Sequence, residues 1–278
     1  MSKITIITVN FDNLEGLKKT AESVLSQTYK DFEFIIVDGG SKDGSKEYIE
    51  EISDNVTLWV SEPDSGIYNA MNKGIKMAKG DYICFLNSGD IFFENNTLTQ
   101  AAEKIDGNIG IYYGDVFFDH ARKKRLIPAP KKLAFPFLIA NSINHQSTFI
   151  KRNLFDEVFY YNEDLKIIAD WEFIIYAVCK KEISTQHIGM VVSIYDASGV
   201  SSIKENQKAI LADRQSVVNK HFPLFAFNID EIETLQSKRG KQFQYIKKYK
   251  VAYRFLKWFI SLLLLFLPKG NNKELKKF

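Results

Sequence analysis

Phe32-Glu33-Phe34-Ile35-Ile36-Val37-Asp38-Gly39-Gly40-Ser41-Lys42-Asp43-Gly44-Ser45 passes from a β-rich apolar run through a glycine-rich polar turn to a helical segment at Lys46–Ile52. The apolar run predicts a strand over Phe32–Val37. Glycine accepts positive φ and an aspartate side chain caps the backbone that follows, so Asp38-Gly39-Gly40-Ser41 predicts the turn that ends it. The same grammar repeats on either side. Ile4–Val9 predicts a first strand, and Leu14–Leu25, with Leu14, Leu17, Ala21, Val24 and Leu25 at helical spacing and Asn13 as N-cap, predicts the helix after it. Thr57–Val60 and Tyr82–Leu86 predict two more strands, with a helix over Tyr68–Ala78 between them. Strands alternating with helices predict an α/β fold whose central sheet is mostly parallel and flanked by helices. Ligands of such sheets bind beyond the carboxyl ends of the strands, so the polar residues after Val9, Val37 and Leu86 are where chemistry is expected.

Past about residue 110 the regularity weakens. Ile109–Phe118 predicts a strand or hairpin, Arg122–Arg125 is a basic cluster, and Pro128, Pro130 and Pro136 interrupt any long element. That loop-rich stretch suits an acceptor site. Helical character resumes over Leu165–Lys180, through Trp171, Ile174, Ile175 and Val178, and again over Gln207–His221. The predicted organisation is a catalytic domain over 1–222 and a helical C-terminal extension over 223–278.

Composition bounds the function. Of 278 residues 45% are hydrophobic and 26% charged, as in an ordinary globular protein. With 37 basic and 34 acidic residues the net charge is +3, too balanced to make the chain a nucleic-acid binder. The basic excess lies at the C-terminus, where Glu274 is the only acidic residue after Lys238. Cys84 and Cys179 have neither metal-clip spacing nor disulfide density and are expected to be free thiols in a reducing compartment. The opening Met1–Val9 reads as a strand and not as a signal peptide, which predicts a cytoplasmic protein.

Three segments together resemble the family-2 inverting glycosyltransferases, whose core is the GT-A fold: Thr8-Val9-Asn10-Phe11 with Ser23-Val24-Leu25-Ser26-Gln27-Thr28; Ile36-Val37-Asp38-Gly39-Gly40-Ser41-Lys42-Asp43-Gly44-Ser45; and Phe85-Leu86-Asn87-Ser88-Gly89-Asp90. The resemblance covers roughly the first two hundred residues. It implies a GT-A nucleotide-binding domain that takes a sugar nucleotide, with a UDP-sugar as the expected donor, and passes the sugar to a hydroxyl of a glycan or lipid-linked acceptor in cell-surface polysaccharide synthesis. Within it Val9, Asn10 and Asp38 correspond to nucleotide contacts, although Asp38 equally suits a plain turn. Asp90 corresponds to the ligand of a divalent metal, Mn2+ or Mg2+, which neutralises the diphosphate leaving group. Here the chain departs from the family's acidic D-x-D run, because Asn87-Ser88-Gly89 leaves Asp90 as the segment's only carboxylate; Asn87 and Ser88 are then expected on the donor.

The resemblance extends to Ser61–Gly74, where Asp64, Asn69 and Lys73 are the expected donor contacts, Lys73 meeting phosphate as a point charge. Asp64 also suits a helix cap. Asn144-His145-Gln146-Ser147-Thr148-Phe149 resembles a segment near the acceptor and diphosphate, which places His145 and Gln146 on donor or acceptor. Ile168-Ala169-Asp170-Trp171-Glu172-Phe173 resembles the acidic motif at a helix start that supplies the general base, here Asp170 with Glu172 as substitute. Tyr195–Ser202 has the composition of a mobile lid.

In the tail, Phe255–Leu267 is apolar apart from Lys257 and Ser261 and shorter than the roughly 20 residues a spanning helix needs. Lys247, Lys250, Arg254 and Lys257 precede or enter it at intervals that gather them on one helical face. Such a basic amphipathic helix predicts peripheral attachment to the anionic inner face of the cell membrane. Packing on the protein itself or on a second copy in a homodimer is the alternative. Two other classes stay open on sequence: a catalytically silent sugar-nucleotide-binding scaffold and a nucleotidyltransferase.

Overall fold

The computed structural model describes residues 3–120, 123–196 and 207–266. In chain order the first half contains β1 (Ile4–Asn10), α1 (Leu14–Leu25), β2 (Phe32–Asp38), α2 (Ser45–Glu51), β3 (Leu58–Ser61), α3 (Ile67–Met77) and β4 (Tyr82–Phe85). Then come β5 (Ile91–Phe92), α4 (Thr97–Lys104), β6 (Ile111–His120), β7 (Lys123–Ile127), α5 (Phe135–Ala140), β8 (Thr148–Lys151), α6 (Leu154–Glu157), α7 (Ala169–Cys179), β9 (Thr185–Asp196) and α8 (Gln207–His221). The last helices are α9 (Ile229–Gln236), α10 (Lys238–Lys247) and α11 (Lys250–Leu264).

One sheet runs β3-β2-β1-β4-β8-β6-β9-β5, with β7 paired to β6. The β1 to β4 block is parallel throughout, with Ile4 facing Phe32 on one side and Tyr82 on the other. This is the block that the alternation of strand and helix predicts. Every residue of β1 and β4 is buried, which is what a parallel strand covered by helices on both faces requires. Beyond β4 the sheet is mixed: β8 pairs antiparallel to β4 and to β6, while β6 and β9 are parallel. The core joins both halves, since Ile4, Ile6, Leu17, Phe34 and Cys84 cluster with Leu98, Tyr112, Phe149 and Val192. Cys84 is buried, Cys179 is half-buried, and both are free.

Within Leu165–Lys180 only Ala169–Cys179 is helical, so Asp170 falls in the first turn of α7. Tyr195 and Asp196 end β9; the remainder of the expected lid, 197–202, lies outside the described residues, as does Arg122.

Two compact units divide the chain, Met1–Phe227 and Asn228–Phe278. The break comes after Phe222 and not at it, because Phe222 is buried and both it and Phe225 lie against Phe135, with ring centroids 5.3 and 4.8 Å away. In the second unit the expected continuous basic helix is broken. Tyr249, at φ −108° and ψ 103°, separates α10 from α11, so Lys247 and Lys250 belong to different helices. No residue of α11 is buried.

Candidate active site

The exits of β1 and β4, the start of α3, the 142–146 segment, the start of α7 and the middle of α8 surround a cavity of about 920 Å³, which is the size of a ligand site. Val9, Asn10, Asp64, Asn87, Ser88, Asp90, His145, Gln146 and Asp170 all line it. These come from five separate segments, brought together by the crossover of the parallel block and the return through β8.

The turn after β4 is fixed from α1. Thr20 donates its hydroxyl to the carbonyl of Asp90 at 2.7 Å and accepts from the backbone N–H of Gly89 at 3.0 Å. Gly89 sits at φ +105°, where a side chain is strained. That conformation gives a local reason for glycine at a position where the family has an acidic residue. Asp90 is 5% exposed. The Oδ1 atom of Asn87 and the Oγ atom of Ser88, both in the cavity wall, are buried and have no hydrogen-bond partner. Among the described residues no group of three or more His, Cys, Asp and Glu side chains is placed to hold a metal. The donor set at this turn is therefore one carboxylate with neutral oxygens, hard ligands that fit Mg2+ or Mn2+ when further oxygens complete the shell.

Asp170 is the most constrained polar group in the cavity. Its Oδ1 accepts from the hydroxyl of Tyr68 at 3.0 Å, and its Oδ2 lies 3.3 Å from Nδ1 of His145. Nε2 of His145 in turn lies 3.2 Å from Nδ2 of Asn87. The Asn87 amide donates, so Nε2 accepts and the proton sits on Nδ1, facing the carboxylate. Burial pushes the Asp170 pKa up, but the hydrogen bond and charge of His145 and the Tyr68 hydroxyl outweigh it and hold the carboxyl below the ordinary aspartate value. His145 is raised against the opposing effect of its burial, by Asp170 and then by Asp90. The two shifts describe one pair in which the carboxylate keeps its charge.

Three expected donor contacts are not part of the cavity wall. Asp38 is fully buried and accepts from Asn10 Nδ2, the backbone N–H groups of Gly40 and Ser41, and the hydroxyls of Ser41 and Ser61. Its carboxylate thus ties β1, β2 and β3 together at their ends. Asn69 donates to Glu163 Oε2 at 2.9 Å, and Lys73 is bonded to Glu62 at 2.7 Å and to the carbonyl of Pro63 at 3.2 Å. Asp64 accepts from the N–H of Gly66 at 2.9 Å, a turn just ahead of α3, whose N-cap Gly66 makes no side-chain capping bond, and it lines the cavity. Glu172 turns the other way, buried against His221 Nε2 at 2.7 Å and Lys220 Nζ at 3.3 Å, so it is no substitute for Asp170. It fastens α7 to α8.

Sequence reasoning missed Phe11, Tyr68, Lys166 and Arg214, all in the wall. Phe11 lies within a quoted motif and is 66% exposed, an unusual state for a phenylalanine and a usable signal. Tyr68 lies within the quoted Ser61–Gly74 segment, and nothing local marks Lys166 or Arg214.

A family model described as Glycosyl transferase family 2 matches residues 5–159. A glycosyltransferase of Mycobacterium tuberculosis (strain ATCC 25618 / H37Rv), Rv1514c, is 33% identical over 226 residues, spanning 78% of this chain and 84% of that protein. The Escherichia coli UDP-Glc:alpha-D-GlcNAc-diphosphoundecaprenol beta-1,3-glucosyltransferase WfgD is 28% identical over 215 residues, spanning 73% and 80%. The crystal structure of S. aureus TarS 1–349 in complex with UDP-GlcNAc superposes with a TM-score of 0.64 at 17% identity, covering 88% of this chain and 79% of that one. The fold is that of a GT-A-type glycosyltransferase. The chain belongs to glycosyl transferase family 2.

Proposed function

We propose that the protein transfers a hexosyl or N-acetylhexosaminyl group from a nucleoside diphosphate, with UDP as the base-bearing half, to a hydroxyl of a glycan or lipid-linked acceptor in surface-polysaccharide synthesis, with inversion. The observation that carries this reading is Asp170, held on both carboxylate oxygens at the wall of a ligand-sized cavity. Around it Asn10 Oδ1, Asn87 Oδ1, Ser88 Oγ and Gln146 Nε2 are buried without partners in the protein. Buried polar atoms left unpaired are costly, so a cavity lined by four of them suits a polar ligand that completes their hydrogen bonds. A sugar nucleotide is such a ligand, and WfgD, by its name, uses UDP-Glc and a diphosphoundecaprenol-linked sugar.

In the proposed reaction Asp170 accepts the proton of the acceptor hydroxyl as that oxygen bonds to the anomeric carbon. The bond from that carbon to the diphosphate oxygen breaks on the opposite face, which inverts the centre and releases the nucleoside diphosphate. Tyr68 and His145 hold the carboxylate's plane while it does so. Asp90, with Asn87 and Ser88 beside it, would hold a divalent cation, and that cation would supply charge neutralisation to the leaving diphosphate. In this reading Asn10, Asp64 and the exposed ring of Phe11, all in the cavity wall, would contact the nucleoside.

The second unit supports docking at the inner face of the membrane. Val251, Phe255, Trp258, Leu265 and Phe266 are all more than half exposed, on or just beyond a helix that also carries Lys250, Arg254 and Lys257. Among the described residues no helix is long and apolar enough to cross a membrane. A surface anchor is the arrangement that uses both features, and it would bring the cavity's protein to a lipid-linked acceptor.

A panel of UDP-, GDP- and dTDP-sugars with a nucleoside-diphosphate readout, with and without Mn2+, tests the reading. Turnover of one donor, stimulated by Mn2+ and weakened in Asp90→Asn, is expected. Binding of every donor without turnover would favour a silent scaffold, and pyrophosphate release a nucleotidyltransferase.

A further inference from the structure

The cations of the cavity are not those that the sequence singles out. Lys73 is engaged by Glu62 and the Pro63 carbonyl, outside the wall. Among the described residues the wall's cationic side chains are Lys166, just before α7, and Arg214, in the middle of α8. The same wall carries the carboxylates of Asp64, Asp90 and Asp170. A diphosphate brought into that surface meets repulsion from three carboxylates, so fixed positive charge within the cavity decides whether it binds.

Arg214 is fixed in a way suited to that task. Its guanidinium carbon lies 5.0 Å over the ring of Trp171, and Nη1 donates to the carbonyl of Ala140 at 3.3 Å. Trp171 is itself 1% exposed and locked by its Nε1 to the carbonyl of Leu138 at 2.6 Å. The contact with Trp171 and the bond to Ala140 fix where the guanidinium sits, and a guanidinium meets phosphate oxygens in the plane of its fork. Holding it in advance also lowers the entropy lost when an anion binds.

We propose that Arg214, assisted by Lys166, binds the diphosphate of the donor, so that the chain's own guanidinium meets part of the leaving-group charge independently of any cation at Asp90. The proposal rests on the donor-binding reading of this cavity. It gives a chain with a single carboxylate in its β4 turn a second means of holding the diphosphate. The competing role for Arg214 is a clasp alone, joining α5, α7 and α8 through Ala140 and Trp171.

Calorimetric titration of the full chain with UDP, GDP, dTDP and the matching nucleosides, in EDTA, separates the possibilities. Wild type should bind one nucleoside diphosphate in EDTA, Arg214→Gln should bind it about 10- to 100-fold more weakly, and Arg214→Lys should fall between them. Affinity for the nucleoside should be the same in all three. Lys166→Met, which leaves the Trp171 contact intact, should show a smaller loss confined to the diphosphate. Equal diphosphate affinity in wild type and Arg214→Gln would overturn the proposal, including the case in which Arg214 serves a phosphate on the acceptor and only the acceptor KM rises. Parallel loss of nucleoside and diphosphate would overturn it in favour of the clasp, and if Arg214→Gln fails to fold, the Arg214→Lys and Lys166→Met titrations decide between the two roles on the same criterion. A wild-type chain that binds no nucleoside diphosphate even with Mn2+ would instead remove the donor reading itself.

Discussion

Nδ1 of His145 faces Oδ2 of Asp170 at 3.3 Å, with Asn87 behind the ring at 3.2 Å. The imidazole therefore has its tautomer set from one side and donates a hydrogen bond from Nδ1–H to the carboxylate on the other. Asn87 was expected on the donor and His145 on donor or acceptor; the geometry gives His145 a hold on the proposed base, Asp170, as well.

Removing that hold has a signed consequence. Asp170 is depressed because His145 and Tyr68 outweigh the effect of burial. In wild type the base stays charged, so kcat/KM should be flat from neutral pH downward and fall only as pH drops below the ordinary carboxylate range. In His145→Ala burial is less opposed, the Asp170 pKa rises, and the acid limb of the profile moves to higher pH. A pH–rate profile checks this; an acid limb that stays in place would show that His145 has no hold on the base.

Gly39 should be intolerant for a reason specific to the cavity. A Cβ there would lie 2.6 Å from Oδ2 of Asp64 and 3.0 Å from Cδ2 of Phe11. Both are side-chain tips that can turn away, so Gly39→Ala should leave the melting temperature nearly unchanged. Donor KM should rise several-fold, because two wall residues have moved. A lower melting temperature with unchanged KM would contradict this.

Asp38 should behave as a structural carboxylate. Burial opposes its charge, but Ser41, Ser61 and Asn10 hold its pKa below the ordinary value. A carboxylate depressed in the folded state adds stability above its unfolded pKa, and that stability is lost as pH falls through the folded one. Asp38→Ala strands several buried donors and should cost about 2–4 kcal/mol in urea denaturation at pH 7. The deficit should shrink as the buffer is acidified. A loss of nucleotide affinity at full stability would return Asp38 to the binding site.

The parallel half of the fold was legible because β1, β2 and β4 are apolar runs punctuated by turns and α1 repeats its apolar residues at helical spacing. In the second half β6, α7 and α8 were legible as Ile109–Phe118, Leu165–Lys180 and Gln207–His221, and the short strands between them were not. β5 has two residues and β8 four, too few for any period to show, and their place is set by pairing with β9 and with β4 and β6. The motifs at Asn87–Asp90 and around Asp170 carried enough to single out residues that the structure brings to one cavity. What the motifs do not carry is the distant partner that aims a side chain: Glu163 takes Asn69, Glu62 takes Lys73, and the hydroxyls of Ser41 and Ser61 enclose Asp38. Arg214 owes its position to Trp171 and Ala140, residues far from it in sequence.

The second unit predicts a lipid dependence. A chain ended at Phe227 should lose co-sedimentation with vesicles containing anionic phospholipid, while the full chain binds them and releases at high salt. Nucleoside-diphosphate affinity should be the same for both. Vesicle binding that survives the truncation, or full-length protein that never binds, would refute the anchor.

Asp170 as the proton acceptor of a direct displacement is the claim on which the proposed mechanism turns, and nucleoside-diphosphate release by wild type and Asp170→Asn with the accepted donor and acceptor tests it most directly. The mechanism predicts turnover by wild type, a fall of about 10²- to 10⁴-fold in kcat for Asp170→Asn, and equal affinity of the two for the nucleoside diphosphate. Undiminished turnover by Asp170→Asn, in a protein that binds as wild type does, would contradict it.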